Sequence, residues 1–276
     1  MTRAYINVFG TINKFLSVRV TPDVVTSDVG QTFRLKYAYA QVNLDDWLGK
    51  GAWLRGGVTQ TPLVDYEENI YRYRFQGPIF VDREGFLTSS DSGGSFHMNL
   101  PHDLGDVHAG VYNGEGYSHS EVPKDATKAF QLRASICPAH GLRVTGFVDD
   151  DTVQRGLDRK RTVGQVTFEH PRVVAGVDWL HARDQKTPAA ALMRARGYSA
   201  WLEPNFTKQW GALLRYDRLR PDTNTSQVKR RDIEGLAYWF PMPKGAAGAL
   251  MLDRDALRTS GAASVINYGL KTMLSF

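Results

Sequence analysis

The sequence predicts an all-β fold, an antiparallel transmembrane β-barrel with about 15 strands present of an expected 16. Segments that alternate apolar and polar residues recur along the whole chain of 276 residues, and this period of two is typical of strands. No apolar run approaches the roughly 18–20 residues that a membrane helix needs. Short and longer connections alternate between the segments, as in barrels with short turns on one side of the membrane and long loops on the other. The predicted strands are 2–9, 13–20, 31–42, 52–59, 92–99, 105–113, 127–136, 141–149, 163–170, 172–182, 196–203, 208–218, 231–240, 246–254 and 264–276.

The C-terminal segment VINYGLKTMLSF shows the most regular alternation. Tyr268, Leu270, Leu274 and the terminal Phe276 share one face of the predicted strand. Soluble proteins rarely end on such a strand, because a free apolar edge promotes aggregation, whereas a closed barrel has no edge. This ending resembles the C-terminal strand of bacterial outer-membrane proteins. The resemblance implies that these four residues form an insertion signal recognised by the barrel-insertion machinery.

Composition fits one domain, residues 1–276, because no Pro/Ser-rich linker divides the chain. The single Cys137 excludes an internal disulfide framework. The net charge is +5, and the densest basic runs, 158–161 and 228–231, lie between predicted strands. We therefore interpret them as solvated loops and expect no nucleic-acid partner. The stretch 186–196 is the only one with helical periodicity.

The polar and apolar faces of the strands predict which side meets the membrane. Each pattern alone fits a soluble barrel or a membrane barrel. A barrel of about sixteen strands, however, encloses a lumen too wide for side chains to fill. Its interior is therefore wet and its apolar face points outward, with aromatic residues near the strand ends forming interfacial girdles. The candidates are Tyr39, Trp179, Tyr198, Trp210, Tyr216, Trp239 and Phe276.

Strand parity predicts an incomplete N-terminus. Single-chain bacterial barrels have an even number of strands, with both termini on the short-turn side. If the strand that ends at Phe276 runs toward the short-turn side, the alternation of directions makes the first predicted strand run toward that side as well. A barrel whose N-terminus lies on the short-turn side begins with a strand that runs the other way. The sequence also shows no signal peptide before it. We expect an N-terminally truncated chain that lacks one strand and a signal peptide; the alternative is that one strand is miscounted.

Several segments resemble the phosphate-selective porin O and P family. They include RAYINVFG, FRLKYAYAQVNLDDW, IYRYRFQGPIFVDREGFLTSSDSG and GVYNGEGY, and the resemblance extends from Arg3 to Phe276. It implies a sixteen-stranded, trimeric diffusion channel in the outer membrane of Gram-negative bacteria. Outer-membrane lipid and small anions or other small solutes would be its partners. Phosphate specificity does not follow, because related sequences include general porins.

The longest connection, about 60–91, is the predicted constriction loop, because the resemblance implies a third loop that folds inward. It is too rich in aromatic residues to be disordered. Charges at a constriction set ion selectivity. The candidates are Asp65, Glu67, Glu68, Arg72, Arg74 and Arg83. The alternative is that these charges pair with one another and only pin the loop to the wall.

The polar faces of the strands predict further pore-lining charges. The basic candidates are Arg19, Arg34, Lys36, Arg55, Arg133, Arg143 and Arg215, and acidic residues oppose them on later strands. The sequence therefore predicts passive diffusion of small hydrophilic solutes with a weak preference for anions. The alternative is a barrel without a channel, structural or adhesin-like, or a barrel enzyme. We expect no enzymatic activity, catalytic residue, metal or cofactor, since the seven histidines lack metal-ligand spacing.

Overall fold

A computed structural model describes residues 3–27, 30–114, 116–117, 128–151, 157, 159–185, 187 and 189–276. Its strands form one antiparallel sheet in the order β1-β3-β4 and onward in sequence to β16, while β2 pairs with β3 beside β1. Their bounds are β1 (Arg3–Tyr5), β2 (Val8–Thr11), β3 (Leu16–Ser27), β4 (Gly30–Asn43), β5 (Trp53–Gln60), β6 (Ser90–Asn99), β7 (Gly105–Tyr112), β8 (Ala129–Ala139), β9 (Leu142–Asp151), β10 (Arg159–His170), β11 (Val173–Asp184), β12 (Met193–Pro204), β13 (Trp210–Arg220), β14 (Lys229–Trp239), β15 (Ala247–Thr259) and β16 (Val265–Ser275).

The described helices are short. They are α1 (Asp45–Leu48), α2 (Val64–Ile70) and α3 (Phe80–Arg83), with one 3-10 turn at Pro101–Asp103. None of the helices in the described ranges is long and apolar enough to cross a membrane.

The predicted strands are confirmed, with two corrections to the connections. The first predicted strand, 2–9, corresponds to β1 and β2, which both pair with β3. The segment TPDVVTSDVG, predicted as a long connection, instead continues β3 to Ser27, and β4 begins at Gly30. Its adjacent β-branched residues favour an extended backbone. The helix-like stretch 186–196 is also corrected, since its described end lies in β12 from Met193.

Contacts within the chain group its residues into two compact units. One comprises Met1–Tyr66, Leu87–Ile136 and Phe147–Lys160, and the other comprises Glu67–Phe86, Cys137–Gly146 and Arg161–Phe276. We call them the first and second units and describe each by itself. The interpretation of residues 1–276 as one domain stays a prediction.

In both units the sheet buries its polar face and exposes its apolar face. In β13 the Leu214 side chain is 49% exposed, whereas the neighbouring Arg215 is only 4% exposed. In β8 of the first unit, Phe130 is exposed while Arg133 is buried. A water-soluble protein has the opposite arrangement, because burying apolar surface drives its folding. We call the exposed apolar side the outer face and the buried polar side the inner face.

Aromatic residues lie at two levels on the outer face of the second unit. Trp210 packs against Tyr238 with ring centroids 5.1 Å apart, and Tyr198 packs against Tyr216 at 6.0 Å. Trp179 lies on the same face, opposite Tyr198. Trp210 and Tyr238 lie at strand ends, where an interfacial girdle is expected, whereas Trp179, Tyr198 and Tyr216 lie nearer the middle of their strands.

Two predicted girdle residues lie on the inner face instead. Trp239 contacts Tyr73 and Phe75. Tyr39 packs beneath the Arg55 guanidinium, 4.8 Å from its ring centroid. A period of two assigns these residues to a face only once the strand register is known, and Trp239 is one position removed from the outward Tyr238.

Candidate functional site

The connection between β5 and β6 folds into an ordered segment that contains α2 and α3. Its apolar side chains are buried: Leu63, Val64, Ile70, Tyr71, Tyr73, Ile79, Phe80 and Val81. Helices this short are not stable alone, so packing of these side chains must hold them. The part from Glu67 to Phe86 belongs to the second unit and packs on the inner face of its strands. We call this part the 67–86 segment.

Aromatic side chains attach the 67–86 segment to β12 and β14. Tyr71 meets Trp201 edge to face, with ring centroids 5.4 Å apart. Tyr73 and Phe75 both contact Trp239, at 5.8 and 5.9 Å. A Cβ placed on Gly211 of β13 would lie 2.7 Å from the Tyr73 hydroxyl. The bare backbone of that glycine therefore lets the segment approach the sheet closely.

A buried ion pair holds the middle of the segment to β12. The Arg72 side chain donates from Nε to Glu203 Oε2 at 2.9 Å, and its backbone N–H donates to Glu203 Oε1 at 3.1 Å. Glu203 is fully buried, whereas Arg72 is about one third exposed. A buried carboxylate needs such donors, because leaving it uncompensated is costly.

A hydrogen-bonded network anchors the second half of the segment to β13 and β15. Arg215 donates to both Asp217 oxygens at 2.8 Å and to the Pro78 carbonyl at 2.9 Å. Gln76 donates to Asp253 Oδ2 at 3.1 Å and accepts from Arg83 at 2.9 Å. The network thus joins buried charges on the sheet directly to the backbone and side chains of the segment.

The remaining charges of the segment pair locally and stay partly exposed. Arg74 hydrogen-bonds to Glu68 and lies 3.4 Å from Asp82. Lys229 at the start of β14 lies 3.2 Å from Glu84. Arg72 and Arg83 therefore make the contacts expected of pins, whereas Arg74 and Glu68 form an ion pair within the segment. A role for any of them in ion selectivity stays a prediction.

Glu67 of α2 is fully buried on the inner face. Burial, followed by the nearby Asp178 charge, raises the pKa of Glu67 well above its ordinary value of 4.5, while Arg215 opposes the rise. Asp178 of β11 hydrogen-bonds to Glu67 and accepts from Gln165 at 2.7 Å. A proton shared by the two carboxyl groups is required for their hydrogen bond. The 67–86 segment therefore docks through a protonated acid at one end.

Arg83 of α3 is nearly buried. Burial, followed by repulsion from Arg215, lowers the pKa of Arg83 to about 10, against the attraction of Asp217. The guanidinium therefore stays charged at neutral pH.

Replacing Glu67 with Gln is expected to stabilise the protein above about pH 5 and to flatten its pH dependence. The folded-state pKa of Glu67 is raised, so the folded chain keeps a proton that the unfolded chain has lost. Stability then falls as pH rises from the unfolded pKa, near 4.5, through the raised folded pKa. Urea midpoints at about pH 5 and about pH 8 measure this difference.

Glu68→Gln is the control for the Glu67 prediction, because Glu68 is the next residue, is partly exposed and pairs with Arg74. A wild-type midpoint that rises between these pH values, or an equal response from both variants, would contradict the prediction.

The first unit places several predicted pore-lining cations next to neutral oxygens. Arg19 donates to Asn7 at 2.8 Å and to Thr21 at 3.0 Å. Arg55 donates to the Gln41 and Gln60 amide oxygens, both at 2.8 Å. Neutral acceptors fix these guanidinium groups in place, and the charge of Asp65 also acts on Arg55.

Arg34 and Lys36 share the inner face of β4 in the first unit, as the sequence predicts. Lys36 lies over the Tyr5 ring at 4.7 Å and over the Tyr37 ring at 5.2 Å. A register shift between Thr21 and Pro22 leaves an extra residue in β4, so that Lys36 and Tyr37 are both buried.

The other predicted basic residues pair with carboxylates. In the first unit Arg133 hydrogen-bonds to Asp106 and donates to the Pro62 carbonyl at 2.9 Å. In the second unit Arg143 lies 3.2 Å from Glu169, and both are partly exposed. Arg215 pairs with Asp217 as described above. These three cations are therefore locally compensated.

Asp65 and the C-terminal residues complete the predicted set. Asp65 lies in α2, where it is half-buried in the first unit. Tyr268, Leu270 and Leu274 are exposed on β16, and Phe276 is 93% exposed. The geometry leaves these apolar side chains accessible.

Sequence reasoning missed several of the contacts that join the 67–86 segment to the sheet. The aromatic partners Tyr71 and Trp201 carry no distinguishing pattern beyond their apolar character. Gln76 and the Pro78 carbonyl were also missed, because neither carries a charge. The one usable signal was Gly211, a glycine inside a strand pattern, which often marks a close approach of another chain segment.

The chain is similar in structure to several outer-membrane proteins. A loop L8 deletion mutant of OmpT, an outer membrane protein of Vibrio cholerae, matches with a TM-score of 0.68 and 15% identity, covering 98% of this chain and 89% of that chain. OmpF of Salmonella typhi, in complex with daunomycin, matches with a TM-score of 0.68 and 10% identity, covering 99% of this chain and 89% of that chain. An anion-selective porin from Comamonas acidovorans matches with a TM-score of 0.65 and 9% identity, covering 99% of this chain and 86% of that chain.

These likenesses define the fold class, and the predicted outer-membrane β-barrel fold is confirmed. The sequence itself matches no protein-family model and no curated protein.

Proposed function

We propose that the chain is an outer-membrane porin that forms a water-filled channel for passive diffusion of small hydrophilic solutes. The observation that carries the proposal is the reversed distribution of polarity, with charged residues on the inner face of the sheet and apolar residues on the outer face. Such a sheet suits a wet interior surrounded by lipid. The likeness to solved porins supports the same function.

The 67–86 segment is the proposed constriction. It packs on the inner face through Arg72, Tyr73 and the contact of Arg215 with Pro78, so it occupies space that would otherwise be open. A rigid constriction needs such anchors, because a mobile loop would close the path intermittently. Its partly exposed Arg74 and Glu68 are the proposed contacts with passing ions.

Conductance of the purified protein in a planar lipid bilayer tests the channel proposal. We expect stable open steps of uniform size that scale with salt concentration. The alternative, a structural, adhesin-like or enzymatic barrel without an open path, gives no such steps. A folded protein that inserts but never conducts would refute the channel.

The finer proposals concern selectivity and assembly. We propose a weak preference for anions, as in the phosphate-selective porin O and P family that the sequence resembles, and a homotrimer. The Vibrio cholerae protein has also been solved in a trimer form. The exposed Tyr268, Leu270, Leu274 and Phe276 are the proposed signal for the insertion machinery, and no enzymatic activity is proposed.

Replacing Leu202 with Arg is expected to lower the free energy of unfolding by about 2–4 kcal/mol in lipid. Leu202 lies on the outer face of β12 between Ala175 of β11 and Leu214 of β13, so the guanidinium would enter the apolar core of the membrane with no carboxylate directly opposite it. At a water-exposed position the same change would cost within about 0.5 kcal/mol. Urea unfolding from lipid vesicles, with Leu202→Ala as the control for lost side-chain volume, measures the effect. An equal cost for both variants would contradict the lipid-facing assignment.

A further inference from the structure

Six arginines form a row across β11 to β14 on the outer face of the second unit. They are Arg183, Arg194, Arg196, Arg218, Arg220 and Arg230. We call this row the arginine belt. Five of its members are exposed, and Arg218 is half-buried. Their face is set by register, because Arg183 follows the outward Trp179 by four positions and Arg218 follows the outward Leu214 by four.

The belt consists of three pairs of arginines placed directly opposite each other on neighbouring strands. Arg183 opposes Arg194, Arg196 opposes Arg220, and Arg218 opposes Arg230. Opposed side chains on antiparallel strands have Cβ atoms about 4.5–5.5 Å apart, and like charges in this position destabilise the sheet. Three such pairs in one row need an anion to offset the repulsion.

The described part of the chain supplies no such anion. No carboxylate there lies within ion-pair distance of any belt arginine. The neighbouring Asp232 on the same face is already engaged by Arg258 at 3.1 Å. The Nε of Arg218 is buried and makes no hydrogen bond. The belt therefore has both unused positive charge and an unused buried donor.

The position of the belt restricts what the anion can be. Each belt arginine lies within a few residues of the end of its strand that is joined to the connection 185–192 or 221–228. Directly below it on β12 and β13 come the paired rings of Tyr198 and Tyr216 and then Leu214, while Asp232 and Glu234 occupy the same levels on β14. Barrels place aromatic girdles where the apolar core of the membrane meets the headgroups, and longer loops lie on the outside of the cell.

We propose that the arginine belt binds the phosphate groups of a phosphorylated glycolipid in the outer leaflet, of the lipid A type. This inference rests on the proposed placement in the outer membrane. Guanidinium groups bind phosphate oxygens through two parallel hydrogen bonds, and paired arginines present several donors to one phosphate. The acyl chains of the same lipid would cover the apolar surface around Leu214. A lipid is favoured over an acidic protein because the belt borders directly on this apolar surface.

The test is the affinity of the folded, full-length protein in detergent for lipid A that carries both phosphates. Native mass spectrometry counts the bound lipid across a titration. The variant Arg194→Gln/Arg196→Gln/Arg218→Gln removes one arginine from each opposed pair. We expect it to bind about 100-fold more weakly, or roughly fivefold per arginine removed. Dephosphorylated lipid A should bind the wild type and this variant equally.

A matched control removes three cations from the opposite ends of the same strands. Arg172→Gln/Lys208→Gln/Lys244→Gln changes exposed residues in the short connections and lowers the charge equally. We expect its affinity to change less than about threefold. Without lipid, the belt variant should unfold no more readily than the wild type, because the substitutions relieve repulsion between arginines.

Four results would overturn the proposal. The first is equal affinity of the belt variant and the wild type for lipid A, and the second is an equal loss of that affinity in the control variant. The third is displacement of lipid A by millimolar inorganic phosphate. The fourth is belt-dependent binding of polyglutamate that is tighter than the binding of lipid A. The third would indicate a free-anion site and the fourth a protein partner. Channel conductance, measured separately on each variant, distinguishes failure of the porin proposal from failure of this one.

Discussion

Replacing Arg215 with Met is expected to lower the free energy of unfolding by about 3–5 kcal/mol. Methionine fills a similar volume but donates no hydrogen bond, so Asp217 loses both of the bonds that Arg215 donates at 2.8 Å. The Asp217 carboxylate is 3% exposed and would be left with the neutral Ser199 hydroxyl at 2.7 Å and with Arg83, 3.8 Å away. An uncompensated buried charge, more than the lost ion pair itself, causes this cost.

The same substitution is expected to loosen the 67–86 segment, because Arg215 also donates to the Pro78 carbonyl. Trypsin cleavage after Arg72 or Arg74 should then become faster, since cleavage requires local opening of the segment. Urea unfolding gives the stability change, and the rate of appearance of the cleaved chain reports the loosening.

Arg143→Met is the matched control for this prediction. Arg143 also faces a carboxylate from the same unit, Glu169 at 3.2 Å, but both side chains are more than one third exposed. Exposed pairs contribute about 0–1 kcal/mol, so this variant should stay near the wild type. If both substitutions cost the same, burial would not be what makes the Arg215 network important, and the anchoring role would fail.

The strands were predictable because a strand that separates lipid from water alternates apolar and polar residues along its length. Alternation at Leu214, Arg215 and Tyr216 is visible in the sequence whichever face is buried. This alternation fails where local chemistry competes with it. Thr21 and Pro22 read as the start of a loop, yet the chain accommodates them in β3 through a register shift. A bulge of this kind depends on the partner strand, which the sequence of one strand does not specify.

The candidate site was predictable only in part. The length and aromatic content of the connection between β5 and β6 identified an ordered segment, and its charges identified Arg72 and Arg83. Their partners could not be found in this way, because Arg72 and Glu203 are 131 residues apart in the chain. Burial was equally hidden, since Glu67 and Glu68 are neighbours of the same type, yet one is buried and the other pairs with Arg74.

The distinction between compensated and uncompensated cations also required the structure. Arg55 and Arg133 look alike in the sequence, since both lie on the polar face of a strand. Arg133 hydrogen-bonds to Asp106, whereas Arg55 donates to Gln41 and Gln60. A cation that is hydrogen-bonded to neutral groups keeps more of its charge available to passing ions than a cation bonded to a carboxylate, so the predicted basic residues are not equivalent.

Removing four inner-face cations of the first unit that have no carboxylate within hydrogen-bonding distance in the described residues is expected to abolish the proposed anion preference. The variant is Arg19→Gln/Arg34→Gln/Lys36→Gln/Arg55→Gln. Each unit charge contributes roughly 1 kcal/mol at contact distance in water and less once screened by salt. Four together should change the anion-to-cation permeability ratio by about tenfold at low salt. Reversal potentials across a salt gradient in a planar bilayer measure this ratio.

Salt and a charge-matched variant separate this effect from a general loss of positive charge. The shift should shrink in about 1 M salt, where the Debye length falls to about 3 Å, because a screened cation no longer concentrates anions near it. The control Lys50→Gln/Arg172→Gln/Lys208→Gln/Lys244→Gln lowers the net charge equally, but its residues lie in the short connections between strands. We expect it to retain the wild-type reversal potential, since the altered residues lie off the inner face. Two results would refute the anion path along β3 to β5: a wild-type channel that clearly prefers cations, and a quadruple inner-face variant with an unchanged reversal potential. Neither result decides the channel proposal itself, which depends on the conductance measurement.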